Sequence, residues 1–185
     1  MPIVGGPFSS LYVGDAQATD RRSRTFRRAV SANSHLDLPG SGGAFVSTPH
    51  TADLNLSADM ELIFRARMTD WTPVNQTMIS KGNSTRRYQL GFDATQWGMW
   101  NGTTYASRSQ SALTDGTTYW LRLALTSGSL SHFYAADQSS VPTSWTQVGA
   151  AQAWSLGSTN TETLTLGSVG TGELLNGRIY RAIVR

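Results

Sequence analysis

Carboxylates and histidines are the residues best suited to do chemistry in this chain, and they are sparse. There are three glutamates: Glu61, Glu162 and Glu173. Cleaving a glycosidic bond takes two carboxyl groups at a controlled separation, one as acid and one as nucleophile or base. None of the three has a second carboxylate two residues on. Asp59 and Glu61 would share one face of a strand, but Arg65 and Arg67 continue that face, so it reads as a solvated strand surface. His35, His50 and His132 stand alone, without the His-x-x-x-His or His-Glu-x-x-His spacing that holds zinc. His132 opens an expected strand and is placed at a sheet edge. No Gly-x-Ser-x-Gly elbow or phosphate loop occurs. The absence of cysteine removes thiolate nucleophiles, thiolate metal sites and disulfide scaffolds. The chain reads as a non-enzyme with no cofactor. Calcium is the one ion to weigh. Asp93, Asp115 and Asp137 lie at expected strand ends or turns, but calcium needs several converging oxygens and no two of these are close in sequence. Turn chemistry accounts for them equally well.

Aromatic residues offer a different kind of chemistry. Sugar recognition sets an aromatic face against a pyranose ring and adds hydrogen bonds from amides, carboxylates or arginine. The densest local cluster is Trp97-Gly98-Met99-Trp100-Asn101-Gly102, with Tyr105 beyond it. Strand alternation puts Trp97 and Met99 on one face and Trp100 on the other, so one tryptophan belongs to the core and the other is open to a ligand. Trp100, Asn101 and Tyr105 are the candidate contacts, with Arg86 and Asp93 reaching in from a neighbouring hairpin. The competing reading is that both tryptophans simply pack. Trp71 is expected to plug an edge, and Trp120 to cover the second sheet or contact another subunit.

The charge is unevenly placed. The 185 residues carry 15 basic and 12 acidic side chains. Residues 1–34 hold Arg21, Arg22, Arg24, Arg27 and Arg28 against two aspartates, while residues 35–185 balance at ten against ten. The excess therefore belongs to a short segment that lacks the apolar residues for a core of its own. That segment, residues 1–34, reads as an arm, either extended or with a short helix capped by Asp20. Three roles suit Arg21, Arg22, Arg24, Arg27 and Arg28 with Phe26. They are docking on an acidic neighbouring subunit, a solvated charge run, and phosphate neutralisation on nucleic acid. Docking fits best, and the neutral remainder weighs against nucleic acid. No apolar run approaches the roughly 20 residues of a membrane span, and Met1–Ser10 is not a secretory leader.

The elements that must position these residues are strands. Met60–Met68, Tyr88–Asp93 and Tyr119–Leu125 alternate apolar and polar residues. Further strands are expected at 44–47, 76–80, 98–106, 132–136, 146–152, 162–167 and 177–184. Asn101-Gly102 and Asp115-Gly116 favour the positive φ of tight turns. About ten strands without a helix of normal length predict two packed antiparallel sheets over residues 35–185, a jelly-roll sandwich.

The succession of segments is more specific than any one of them. Leu36-Asp37-Leu38-Pro39-Gly40 and Phe45–Pro49 precede the Met60–Met68 strand and Asp70-Trp71-Thr72-Pro73. Then come Ile79-Ser80-Lys81-Gly82-Asn83, Tyr88–Phe92, Leu113–Arg122, His132-Phe133-Tyr134 and Trp145–Gly149. Leu164–Ser168 and Leu175–Tyr180 close the series. This order resembles a laminin-G-like domain of the concanavalin-A-like lectin/glucanase superfamily. Three segments, Ile79–Asn83, Leu113–Leu123 and Leu175–Val184, resemble versions in tail and other virion proteins of phages infecting actinobacteria. The resemblance implies a virion structural protein, capsid decoration or minor tail component. It would be displayed on the particle surface in many copies or as a homo-oligomer, held to other virion subunits by its arm, and able to bind a host-surface glycan. A carbohydrate-binding adhesin module is the alternative. The glucanase branch carries Glu-x-Asp-x-x-Glu on one strand; that motif is missing here, which leaves a degenerate glycosidase as the weakest reading.

Overall fold

The computed structural model describes residues 10–11, 35–41, 44–56, 59–170 and 172–185. Its strands in chain order are β1 (Ser10–Leu11), β2 (Leu36–Pro39), β3 (Val46–Thr48), β4 (Met60–Met68), β5 (Gln76–Lys81), β6 (Tyr88–Asp93) and β7 (Gln96–Trp100). They continue with β8 (Tyr105–Ser109), β9 (Thr118–Thr126), β10 (Ser129–Ala136), β11 (Thr146–Gln147), β12 (Gln152–Ala153), β13 (Leu164–Leu166) and β14 (Asn176–Val184). Among the described residues the only helical turn is the three-residue Ala52–Leu54. One sheet runs β1-β14-β4-β9-β10-β11, with β2 also on β14 and β12 also on β10; the other runs β3-β13-β5-β6-β7-β8. All named pairings are antiparallel. The all-β, two-sheet sandwich expected from the sequence is the fold observed.

Alternation explains which residues meet. In β4, Met60, Leu62, Phe64, Ala66 and Met68 are all buried. They face Tyr88, Leu90 and Phe92 of β6, and Trp97 and Met99 of β7, in one cluster. Each large side chain withdrawn from water in this way contributes about 1.5–3 kcal/mol, so the two inner faces carry most of the sandwich's cohesion.

Several local expectations change. The stretch 98–106 is two strands, β7 and β8, because Asn101-Gly102 turns the chain, with Gly102 at φ 95°. The stretch 146–152 is only the short β11 and β12, both on the free side of β10. Trp71 is fully buried just past the end of β4, edge-on to Phe92 and Tyr119. Trp120 is also fully buried, but on the outer face of the eight-stranded sheet. There it joins Ile63 and Ile183, covered by Val141 and Trp145 of its own chain, and its Nε1–H donates to the Gln138 carbonyl at 2.9 Å. Its ring is thus satisfied without a second subunit. Ser10–Leu11 adds to the edge of β14 opposite Ile183 and Ala182. The arginines between residues 21 and 28 and Phe26 lie outside the described residues.

His132 is the clearest correction. It sits inside β10, not at an edge, 1% exposed. Its ring meets Trp97 edge-on at 5.2 Å, and Nε2 lies 3.2 Å from the Ala106 carbonyl. That contact assigns the proton to Nε2 and leaves Nδ1 as a buried acceptor without a partner. Burial, only partly offset by the Ala106 carbonyl, pulls its pKa from 6.5 down to about 4. A histidine kept neutral in the fold but free to charge when unfolded costs stability in acid. The expected outcome is full stability above pH 6.5 and a loss of up to about 3 kcal/mol between pH 6.5 and 4, from the size of the shift. Thermal melts across this range should show the slope, and His132→Phe should flatten it. An NMR titration placing the imidazole near pH 6.5 would contradict the account.

Candidate functional site

The outer face of the six-stranded sheet holds the site. Because Leu90 and Phe92 of β6 face the core, Gln89, Gly91 and Asp93 face outward. On β7 the same logic turns Trp97 and Met99 inward and Gly98 and Trp100 outward. Gly91 and Gly98 are register partners. Only Gly91 lines the groove, whose floor it forms; Gly98 is buried against the backbone of β8. Tyr105 of β8 reaches across β7, and its hydroxyl donates to the Gly91 carbonyl at 3.2 Å. Trp100 stands beside it, ring centroids 6.5 Å apart at 64°. Gly98 is required here for a steric reason: a Cβ would lie 2.0 Å from the Ala106 carbonyl oxygen. Gly91 has more room, with its nearest would-be contact at 3.3 Å.

The result is a groove of about 350 Å³ lined by Trp100, Tyr105, Arg86, Asp93, Gln89 and Glu173, with Asn75, Gln76, Gly91 and Phe92 completing it. One end is closed by the turn that precedes β14. Glu173 and Asn75 both hold non-glycine backbone in the left-handed region, at φ 50° and 54°. Such geometry persists only where the surroundings over-determine it, and Glu173 meets that condition. Its Oε2 accepts from Thr77 Oγ1 at 2.8 Å and from Gln89 Nε2 at 2.5 Å, its carbonyl accepts from the Thr77 amide at 2.9 Å, and Arg86 lies 3.6 Å from Oε1. Gln89 is 5% exposed, and its Oε1 has no partner. Asp93 is exposed, with no hydrogen-bond or ion-pair partner among the described residues. Burial first, then the carboxylates of Asp93 and Glu173, push the Tyr105 phenol above its ordinary value, so it remains a neutral donor.

The surrounding polar groups fix the walls. Asn101, expected as a contact, is used by its own turn. Its Oδ1 accepts from the Thr103 and Thr104 amides and its Nδ2 donates to the Ser155 carbonyl. It does not line the groove. Lys81, the only lysine in the chain, is fully buried, and Nζ donates to Asn160 Oδ1 at 2.8 Å and to the Glu162 carbonyl at 2.5 Å. Burial draws its pKa down, an effect Glu162 opposes. The Glu162 carboxylate accepts from the amides of Asn83, Ser84 and Thr85, and the first of these bonds contributes most to holding its pKa near 2. Arg87 donates to the carbonyls of Gly157 and Leu56.

The remaining sequence candidates are dispersed. Asp115 Oδ1 accepts from the Trp71 amide, Asp137 pairs with Arg65 at 2.6 Å, and Asp93 is at the groove. The three aspartates weighed for calcium are thus not brought together, and among the described residues no three His, Asp or Glu side chains converge as a metal site. Asp59 accepts from the Ser127 amide. Glu61 is held by Arg122 and Arg185; burial pulls its pKa up, but the two guanidiniums together bring it below its ordinary value. Sequence reasoning missed Glu173, Gln89 and Gln76. Gln89 was detectable as a polar position on an alternating strand. Glu173 is 84 residues from Gln89 and leaves no local signal.

No family model matches the chain, and no curated protein matches it. Solved structures do. One is the CBM40 of the Ruminococcus gnavus IT-sialidase, solved bound to α2,3-sialyllactose. It is similar at 12% identity and TM-score 0.52, covering 78% of this chain and 92% of that one. The SAP-like pentraxin of Limulus polyphemus matches at 13% and TM-score 0.50, over 81% and 74% of the two chains. Part of the NanB sialidase of Streptococcus pneumoniae, a quarter of its length, matches at 13% and TM-score 0.50. These likenesses establish the fold, a β-sandwich consistent with the concanavalin-A-like class.

The two paired glycines predict different responses. Gly98→Ala should cost about 1–3 kcal/mol, the range of an overpacked site, because its Cβ meets backbone that cannot step aside. Gly91→Ala should melt close to the parent. Chemical denaturation of both variants checks the contrast, and equal stability would mean that β7 and β8 are not packed this closely.

Proposed function

We propose that the protein is a non-catalytic glycan-binding sandwich module whose groove at Trp100 and Tyr105 takes a pyranose ring. The observation that carries this is the pairing of a half-buried aromatic wall with a groove floor at Gly91, ringed by Arg86, Asp93, Gln89 and Glu173. An aromatic face beside fixed polar groups is the arrangement that recognises a sugar's apolar face and its hydroxyls together. The likeness of fold to the CBM40 domain supports the reading at the level of architecture. A non-catalytic role is supported by the glutamates, each of which is engaged by arginine or by hydrogen bonds in the fold.

The setting we propose is the surface of a phage particle, capsid or tail. It rests on the sequence resemblance at Ile79–Asn83, Leu113–Leu123 and Leu175–Val184. In that setting the basic segment around Arg21–Arg28 attaches the module to other virion subunits in many copies, with no cofactor, membrane or nucleic acid involved.

Two experiments test these parts separately. On an array of host cell-wall glycans the protein should give a signal that Trp100→Ala lowers at least tenfold, equivalent to about 1.4 kcal/mol, while its melting temperature stays close to the parent. No bound glycan, or turnover of a β-glucan, would overturn the reading. Replacing Arg21, Arg22, Arg24, Arg27 and Arg28 by serine should leave the sandwich folded, β1 included, and abolish association with particles; retained association would sink the arm's role.

A further inference from the structure

The groove's charge points to the class of glycan. Resting on the glycan-binding reading above, we infer that the groove accepts uncharged or amino-bearing pyranoses and rejects acidic ones. Three ionised groups line it: Arg86 against Asp93 and Glu173. The one cation is paired with a carboxylate, 3.6 Å from Glu173 Oε1. A sugar carboxylate or sulfate entering here would face two carboxylates against one guanidinium. Juxtaposed like charges are unfavourable, and more so where the groove excludes water.

The neutral groups point the same way. The Asp93 carboxylate has no partner among the described residues and can only accept hydrogen bonds. Gln89 commits its amide hydrogens to Thr77 and Glu173, at 2.6 and 2.5 Å, and leaves Oε1 as an unpaired buried acceptor under the groove. The Tyr105 hydroxyl spends its hydrogen on Gly91. Asp93 and the Tyr105 oxygen therefore offer a ligand acceptors without hydrogens of their own, which suits a ligand that brings donors. Sugar hydroxyls and ammonium groups are donors; carboxylates and sulfates are not.

The test presents the full chain with three sets of oligosaccharides: neutral hexose chains, deacetylated amino-sugar chains, and acidic chains bearing sialic acid, uronic acid or sulfate. Binding should be confined to the first two sets. Asp93→Asn, an exposed position whose change leaves the fold alone, should weaken it about fivefold or more. Acidic chains bound through the groove, and lost on Trp100→Ala, would overturn this inference while leaving the glycan reading in place. An Asp93→Asn protein that binds as the parent does would also overturn it. Silence on all three sets would remove the glycan reading and this inference together.

Discussion

The buried ammonium of Lys81 is the constraint around which this sandwich is arranged. A charge withdrawn from water must be given partners, and the partners here come from a distant, strand-poor stretch. Asn160 and the Glu162 carbonyl approach Nζ, and the Glu162 carboxylate, one side chain away, gathers the amides of residues 83–85. Asn55 ties in through the Asn160 carbonyl, and Arg87 through the carbonyls of Leu56 and Gly157. Three segments with few ladder hydrogen bonds of their own are thus pinned to the end of β5. Removing one member of such a network costs more than the bonds it makes, because the others remain buried and unpaired.

The groove inherits its geometry from this knot. Arg86 lies between the turn that Glu162 caps and Arg87, so its backbone is fixed from both sides. Gly157 packs so tightly that a Cβ would lie 2.2 Å from the Arg86 carbonyl oxygen and 2.5 Å from that of Asn101. One wall bearing Arg86 and another bearing Trp100 are therefore clamped to the same glycine. Glu173 fixes the opposite rim, through the outward positions Thr77 and Gln89. A register shift in β5 between Thr77 and Ile79 lets Thr77 face outward opposite Gly91 while Met78 and Ile79 both stay buried. Aromatic side chains on strands held this way are preorganised for a ligand rather than arranged by it.

What the sequence discloses follows from the range of each interaction. Alternation in Met60–Met68 and Tyr119–Leu125 is a local, period-2 signal, and it correctly assigns the inward faces of β4 and β9. The same signal, with Asn101-Gly102 as the turn, puts Trp100 and Tyr105 on one outward face, and Arg86 and Asp93 flank the next strand. Glu173 comes from a turn whose place over the sheet is set by side-chain bonds 84 and 96 residues apart. A lone lysine ordinarily marks surface, so nothing local announces that Lys81 is buried. His132 misleads because an isolated histidine opening a strand carries no sign of the two short strands, β11 and β12, that pack against the other side of β10. Strands of two residues have no periodicity to read.

Net charge misleads in a similar way. The balance of ten against ten over residues 35–185 suggests a domain without electrical character. The register shows that this neutrality is a sum over unlike regions, one of them a sheet face rich in arginine. The outer side of the eight-stranded sheet carries Arg65, Arg67, Arg122, Arg178, Arg181 and Arg185 against Asp37, Glu61 and Asp137. The four remaining cations, Lys81, Arg86, Arg87 and Arg108, are outnumbered by seven carboxylates. Two packed sheets stand about 10 Å apart, and charges on their outer faces are farther apart than that. The arginine-rich face therefore lies across the whole sandwich from the groove, whose nearest charges are Arg86, Asp93 and Glu173. Those three sum to one negative charge in a domain whose total is zero.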